Sequence, residues 1–405
     1  MKPLKEVVRR LIDLRKQGQK MTLLAVCPNS GAVLEAAIQA AASHRSVMLF
    51  AATLNQVDRD GGYTGWTPKS FVEDMQRLAN RINWNGPLYP CLDHGGPWLK
   101  DNQAQFPYSK TEAEVKESLF ACLHAGYALL HIDTTVDRSL PPDMAPAIEV
   151  VVDRAVSLIE AVEKERKLHR LPEVAYEVGS DEVHGGLVEF DRFREFLILL
   201  KKKLDHAGLS EVWPVFLVTQ VGTDLHTTRF DVEVAKRLFD LVSPYGSLIK
   251  GHYTDWVENP EMYPETGMGG ANVGPEFTTV EYLALKELCV RENELLGGSP
   301  DKASNFMGHL ENAVVESGRW KKWLFPEEKG VPFEELSKER REWLTQTGAR
   351  YVWSQPAVRQ ARGRLYENLR EVISDPHACV VGQIQQAIDR YIEAFHLTDS
   401  ASLFE

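Results

Sequence analysis

Leu88-Tyr89-Pro90-Cys91-Leu92-Asp93-His94-Gly95-Gly96 is the most informative stretch of the chain. A mostly apolar run leads into an acid, a histidine and two glycines. Such a run predicts a buried strand that surfaces at its C-terminal end. Asp93 can move a proton and His94 can hold a metal, while paired glycines let a ligand approach the backbone. The plainer reading is an acid that caps the next segment and a histidine that packs. The two readings part on whether other strands end in the same way.

They do. Apolar runs recur at 22–27, 47–52, 127–133, 174–179, 215–222, 247–252 and 270–274. Helical patterns occupy 4–18, 31–42, 111–124, 145–166, 189–205 and 230–242, and further helices open at Thr67-Pro68 and Pro275. The runs are apolar rather than alternating, as suits parallel strands covered on both faces. Eight such units predict an α/β fold, a (β/α)8 barrel over residues 1–297 with an N-terminal helix. A doubly wound open sheet would favour a glycine fingerprint after the first strand, and Pro28-Asn29-Ser30-Gly31 is not one. Leu295-Leu296-Gly297-Gly298-Ser299-Pro300 reads as a boundary. Residues 298–405 read as a helical extension that packs on the barrel or builds an oligomer contact. Its Trp320, Trp323, Trp343 and Trp353 are expected in a core or interface rather than as a ligand platform.

The 405 residues are 43% hydrophobic and 26% charged, ordinary for a soluble globular protein. A formal net charge of −12 argues against a general nucleic-acid or anionic-membrane binder but leaves room for a local basic pocket. Cys27, Cys91, Cys122, Cys289 and Cys379 are scattered and odd in number, which predicts thiols in a reducing compartment. The N-terminus does not read as a signal peptide, and no apolar window reaches membrane-spanning length, so the expectation is a cytoplasmic enzyme.

In a barrel the C-terminal strand ends face one pocket. In chain order they offer Asn29 and Ser30; Asn55 and Gln56; Asp93 and His94; and Asp133. Then come Glu177, Asp181, Glu182 and His184; Gln220, Asp224 and His226; His252 and Asp255; and Asn272. Turns alone do not need so many histidines and carboxylates. His94, His226 and His252 sit on three strand ends, the way proteins build an open catalytic zinc site. Cobalt, manganese and iron also suit these residue types. His184 is a rival third ligand, and Asp224 or Glu182 could replace a histidine. His131 shares the face of Asp133 and also reads as a satisfied core histidine. His44, His124, His169, His206, His309, His377 and His396 carry no expected role.

The chain also resembles a known family. Its pieces are Asn55-Gln56-Val57-Asp58 with Gly61-Gly62-Tyr63-Thr64-Gly65 and Thr67-Pro68; Asp93-His94-x-Gly96-Pro97; and His131-Ile132-Asp133. Further on stand Gly185-Gly186, His252-x-Thr254-Asp255, and Val273-Gly274-Pro275 before Phe277-Thr278. Between about Leu23 and Leu288 these resemble the Z-type subunits of class II D-tagatose-bisphosphate aldolases (GatZ/KbaZ-like). More distantly they resemble the metal-dependent class II ketose-bisphosphate aldolases.

The resemblance implies a TIM barrel and a divalent-metal site with His94, His252 and, approximately, His226 as ligands. It implies Asp93 as the proton-transfer residue, Asn272 against the ketose and Glu177 as the fifth-strand acid. Glu182 is a second candidate catalytic acid. Ser30, Gln56, Asp133, Glu177, Asp224, Thr254, Asn272 and Gly274 are the candidate substrate contacts. The implied chemistry is retro-aldol: the metal chelates the ketose carbonyl, Asp93 takes the C4 hydroxyl proton, and the C3–C4 bond breaks. Release of the aldehyde makes an aldolase; re-addition on its other face makes a C4 epimerase.

The implied partners are a sugar or sugar phosphate, and a homo-oligomer or a hetero-complex with an aldolase subunit. The alternatives are a non-catalytic subunit that stabilises such an aldolase, and a sugar-binding module without turnover. Two departures stand out. Gly179-Ser180-Asp181-Glu182-Val183-His184 replaces a short proline-containing turn. Tyr253 stands where class II aldolases carry a glycine against the phosphate, and would crowd it. An anion site, if present, would be the helix start at Gly274-Pro275, with Glu276 in its first turn; a simply capped helix is the alternative.

Overall fold

The computed structural model describes residues 2–141, 144–179, 187–223, 228–297 and 301–404. Eight parallel strands close into a barrel in sequence order. They are β1 (Leu23–Val26), β2 (Met48–Thr53), β3 (Leu88–Asp93), β4 (Leu129–Ile132), β5 (Ala175–Gly179), β6 (Phe216–Val218), β7 (Leu248–Gly251) and β8 (Gly270–Val273). The last closes on the first with Leu23 opposite Gly270 and Val26 opposite Val273.

The helices are α1 (Leu4–Lys16), α2 (Gly31–His44), α3 (Pro68–Arg81), α4 (Tyr108–His124), α5 (Ile148–Leu168), α6 (Phe190–His206) and α7 (Val232–Val242). The short α8 (Met262–Thr266) and the long α9 (Pro275–Leu295) follow. Their boundaries follow from local chemistry. Ser30 accepts from the Val33 N–H at the start of α2, and Thr67 and Ser70 cap α3 reciprocally behind Pro68. In α1 the helical spacing of Leu4, Val7, Val8, Leu11 and Leu14 puts all five in the core. Arg15 of this helix donates to the Pro264 and Glu265 carbonyls ahead of β8, and Lys5 donates to the Glu211 carbonyl ahead of β6. Thus α1 lies across the N-terminal end of the barrel and leaves the C-terminal end open.

Beyond the barrel run α10 (Phe306–Ser317), α11 (Lys338–Gly348), α12 (Pro356–Leu369), α13 (Pro376–Ala394) and α14 (Ala401–Phe404). The C-terminal helices are seated on the barrel by α13, which meets α2 through His377–Glu35 and α9 through Gln383–Glu287. Trp320 and Trp353 are buried, whereas Trp343 is exposed. All five cysteines are free thiols. Among the described residues no helix is long and apolar enough to cross a membrane.

The sixth strand is shorter than the apolar run over 215–222 suggests. Gly222 adopts φ +98°, and a Cβ there would lie 2.7 Å from the Arg229 carbonyl oxygen. The chain therefore leaves the sheet, and Val221 makes an isolated antiparallel bridge to Leu187.

The glycines of the opening stretch answer to the protein's own backbone rather than to a ligand. The Gly95 N–H donates to the His131 carbonyl at 2.8 Å. A Cβ on Gly96 would stand 1.4 Å from the Asp133 carbonyl oxygen. The end of β4 is thus clamped against the turn after β3, which sets Asp93 and His94 beside His131. Because both sides of this contact are backbone, Gly96→Ala is expected to destabilise the protein by about 3 kcal/mol or more. The urea midpoint of unfolding measures it.

Candidate metal and substrate centre

The C-terminal strand ends surround a cavity of about 240 Å³. β3 ends on Asp93 and is followed by His94; β7 is followed by His252, Tyr253 and Asp255, and β8 contributes Asn272. Asn29, Gln56 and Tyr63 line the wall from the β1 and β2 side. There the Gln56 amide and the Tyr63 hydroxyl donate to Asn29 Oδ1 at 2.9 and 2.7 Å.

Three imidazoles gather here. The ring centroids of His94 and His252 are 4.9 Å apart, those of His94 and His131 5.1 Å, and those of His131 and His252 5.4 Å. His131 Nδ1 lies 3.1 Å from Asp93 Oδ1. His252 Nε2 lies 3.2 Å from Glu177 Oε1 and 3.6 Å from Asp93 Oδ1. Lys250 Nζ, buried two residues before His252, donates to the same Glu177 oxygen at 2.9 Å. Asn272 Nδ2 donates to Asp93 Oδ2 at 3.1 Å. His94 Nδ1 sits 2.7 Å from Asp133 Oδ2, whose other oxygen accepts the Thr135 N–H and hydroxyl.

Burial alone would push the Asp93 carboxyl up. The positive field of His94, a hydrogen bond with His131 and the Lys250 ammonium outweigh it and hold Asp93 well below the usual range. The same contest leaves Glu177 at about 2, with Lys250 its largest positive partner. Burial would lower His94, but Asp93 and Asp133 raise it to about 9. Burial wins at His252 and lowers it to about 4.

The donor set fits a divalent cation. Asp93, His131, Glu177 and His252 form one group, and His94, His131 and Asp133 another; within each group the candidate ligand atoms lie within 4.8 Å of one another. Glu177 Oε2, His252 Nδ1 and Asn272 Oδ1 are buried with no hydrogen-bond partner among the described residues. Buried polar atoms are seldom left so, which suits a centre completed by a ligand.

The structure brings Asp93, His94, His252, Asp133, Glu177 and Asn272 together. His226, Asp224 and Glu182, with Asp181 and the rival His184, lie outside the described residues. His131 is the third imidazole of the described cluster. Its alternation with Asp133, just past β4, is the sequence signal; Lys250 was missed, and the signal that could have found it is a lysine inside the otherwise apolar β7 run. Gln56 lines the cavity. Ser30 does not: its hydroxyl caps α2 and donates to Glu281 Oε2 at 2.6 Å, on the α9 side. Thr254 is fully buried and accepts from the Tyr263 hydroxyl.

Gly274 lines the cavity, but the α9 start is capped from within. Asp255 Oδ1 accepts the Gly274 and Glu276 N–H groups at 3.0 and 2.7 Å. Glu276 turns away to the Tyr391 hydroxyl at 2.5 Å and the Trp256 N–H at 2.6 Å. Of the two readings of this helix start, an anion site or a simply capped helix, the contacts are those of a cap, made by the chain's own carboxylate. The cavity also has a wall that the strand ends do not supply: Arg319, Lys322, Arg350 and Tyr351, from the turns around α11.

Residues 8–393 match the family described as D-tagatose-1,6-bisphosphate aldolase subunit GatZ/KbaZ-like. Among solved structures the chain is similar to a probable tagatose 6 phosphate kinase from Sinorhizobium meliloti 1021, at 20% identity and TM-score 0.76. That match covers 92% of this chain and 100% of the other. It is also similar to the fructose-bisphosphate aldolase of Campylobacter jejuni, at 11% identity and TM-score 0.58, over 98% of this chain and 95% of that one. At these identities the likeness establishes the barrel.

The Asp255 carboxyl is raised to about 6, chiefly by burial, with Glu276 adding repulsion and the two N–H groups opposing. Between pH 4 and 6 the folded state thus keeps a proton that the unfolded chain has lost, so stability falls as pH rises through this window. Asp255→Asn retains the accepting oxygen and removes the charge. It is expected to be more stable than the parent above pH 6, by about 2 kcal/mol, with the difference gone below pH 4. Urea titrations at the two pH values measure this.

Proposed function

We propose, from the premise that the chain belongs to the GatZ/KbaZ-like family of D-tagatose-1,6-bisphosphate aldolase subunits, that it is itself an enzyme. Its reaction is divalent-metal-dependent retro-aldol chemistry of the class II type on a ketose or ketose phosphate, giving aldol cleavage or C4 epimerisation. The observation that supports this most is the gathering of His94, His131 and His252 around Asp93 at the open end of the barrel.

A cation held by imidazoles of this cluster and by Glu177 would act as a Lewis acid on the ketose carbonyl, and zinc suits such donors best. The chain's own groups do the rest. Asn272 orients Asp93 through its second oxygen, and surrounding positive charge keeps Asp93 ionised. Asp93 accepts the C4 hydroxyl proton as the C3–C4 electron pair moves toward the C2 carbonyl. It returns that proton to the C4 oxygen when the bond re-forms on the other face of the aldehyde, or passes it to C3 of the enediolate once the aldehyde has left, which completes cleavage. Asn29, Gln56 and Tyr63 form a hydrogen-bonded wall on which sugar hydroxyls can be ordered. The same reading makes the protein cytoplasmic.

The second reading, a non-catalytic subunit that stabilises a separate aldolase, is favoured by one observation. Lys250 already balances Glu177 inside the cluster.

Metal analysis of the purified chain with a screen of ketoses and ketose phosphates, scored for both aldehyde and epimer, tests the proposal. About one bound cation is expected, and removing it abolishes turnover. Asp93→Asn should keep the metal and lose roughly a hundredfold to ten-thousandfold in kcat. Metal-independent turnover, or no turnover together with stabilisation of an added class II aldolase subunit, would overturn it.

A further inference from the structure

We propose that His124, Glu165 and His169 form a second divalent-cation site, away from the barrel mouth, and that zinc bound there ties the end of α4 to the end of α5. The proposal is independent of the ketose reading.

The three residues come from the ends of two neighbouring helices. His124 is the final residue of α4, Glu165 lies in the last turn of α5, and His169 caps that helix. Glu165 and His169 are four residues apart, the spacing that puts two side chains on one helix face. Each helix end runs on within a few residues into a strand start, β4 at Leu129 and β5 at Ala175. The cluster therefore lies at the N-terminal end of the barrel, opposite the end where Asp93 closes β3 and His252 follows β7.

Both imidazoles aim at one oxygen. His124 Nε2 lies 2.7 Å and His169 Nε2 3.2 Å from Glu165 Oε1, and the two rings meet edge-on with centroids 5.0 Å apart. The candidate ligand atoms of the three residues all lie within 4.8 Å of one another. With metal–ligand bonds of about 2.0–2.1 Å, the ligands of a tetrahedral zinc stand about 3.3 Å apart. The His169 distance already matches such an edge. The His124 distance has only to open by roughly half an ångström to reach it, on a ring that faces solvent.

No other charged group claims this cluster. Glu165 has no lysine or arginine partner among the described residues, although Lys164 and Arg166 flank it: Lys164 pairs with Glu160, and Arg166 with Glu163. Among the described residues neither imidazole has another side-chain hydrogen bond or ion pair. The free carbonyls of two helix ends add negative partial charge on the same side, which favours a cation. Two imidazoles and one carboxylate are a donor set for zinc, whereas magnesium and calcium take oxygen ligands. Both imidazoles are exposed, so water can complete the tetrahedron.

The test is zinc titration of the full chain, by calorimetry and metal analysis, against the double variant His124→Gln/His169→Gln. The variant should bind about one zinc fewer per chain than the parent and keep the parent's melting temperature in chelator. The count is read as a difference, so it holds whether or not the mouth takes a cation. Glu165→Gln should weaken that one equivalent by about tenfold or more, and excess magnesium should not displace it. Zinc should slow amide hydrogen exchange in the last turns of α4 and α5 in the parent and leave the double variant unchanged. Diffraction at the zinc edge from parent crystals needs no variant: an ion bonded to both Nε2 atoms and to Glu165 supports the site. Equal zinc counts in parent and double variant, zinc bonded to only one of the two imidazoles, or exchange that zinc leaves unaltered in the parent would each overturn the proposal.

Discussion

Two carboxylates, Asp93 and Glu177, stand buried within one cluster at the mouth of the barrel. Ionised acids in such a place need positive groups against them, since the solvation they lost must be replaced. Lys250 and His94 supply that compensation as charge, and His131 and His252 supply it through hydrogen bonds to Asp93 and Glu177. The arrangement explains why a lysine occupies an otherwise apolar strand, and why Asn272 spends its amide on Asp93 rather than on backbone. The same imidazoles and carboxylates make up the donor groups that could hold a divalent cation.

The rest of the mouth follows from where this centre sits. The turn after β3 has to pass hard against the end of β4, so it is built from glycines. Asp255 settles the start of α9, and α13 draws Glu276 out of the cavity through Tyr391. The C-terminal helices are therefore more than a covering: they help to shape the α9 start and contribute a cationic wall over Tyr63 and Tyr351.

Much of this was legible from residue order. The eight apolar runs and the helices between them are present nearly where periodicity placed them, because parallel strands covered on both faces must be continuously apolar. Asp93, His94, His252 and Asn272 were legible as candidates because a barrel sends every strand end to one mouth. His131 was ambiguous, since alternation along β4 states its face but not its neighbours. Ser30 read as a strand-end contact, yet a hydroxyl at that position serves equally well as a cap, and here it caps.

Residue order alone determined the barrel, the open end and most of the polar groups gathered there, because periodicity and strand ends are local properties. Only the folded chain decided which imidazoles meet, that Lys250 neutralises Glu177, and that Arg319, Lys322 and Arg350 arrive from more than two hundred residues beyond Asp93. Those are distances between segments remote in sequence, set by how side chains pack and how buried charge is compensated, and no periodicity along the chain encodes them.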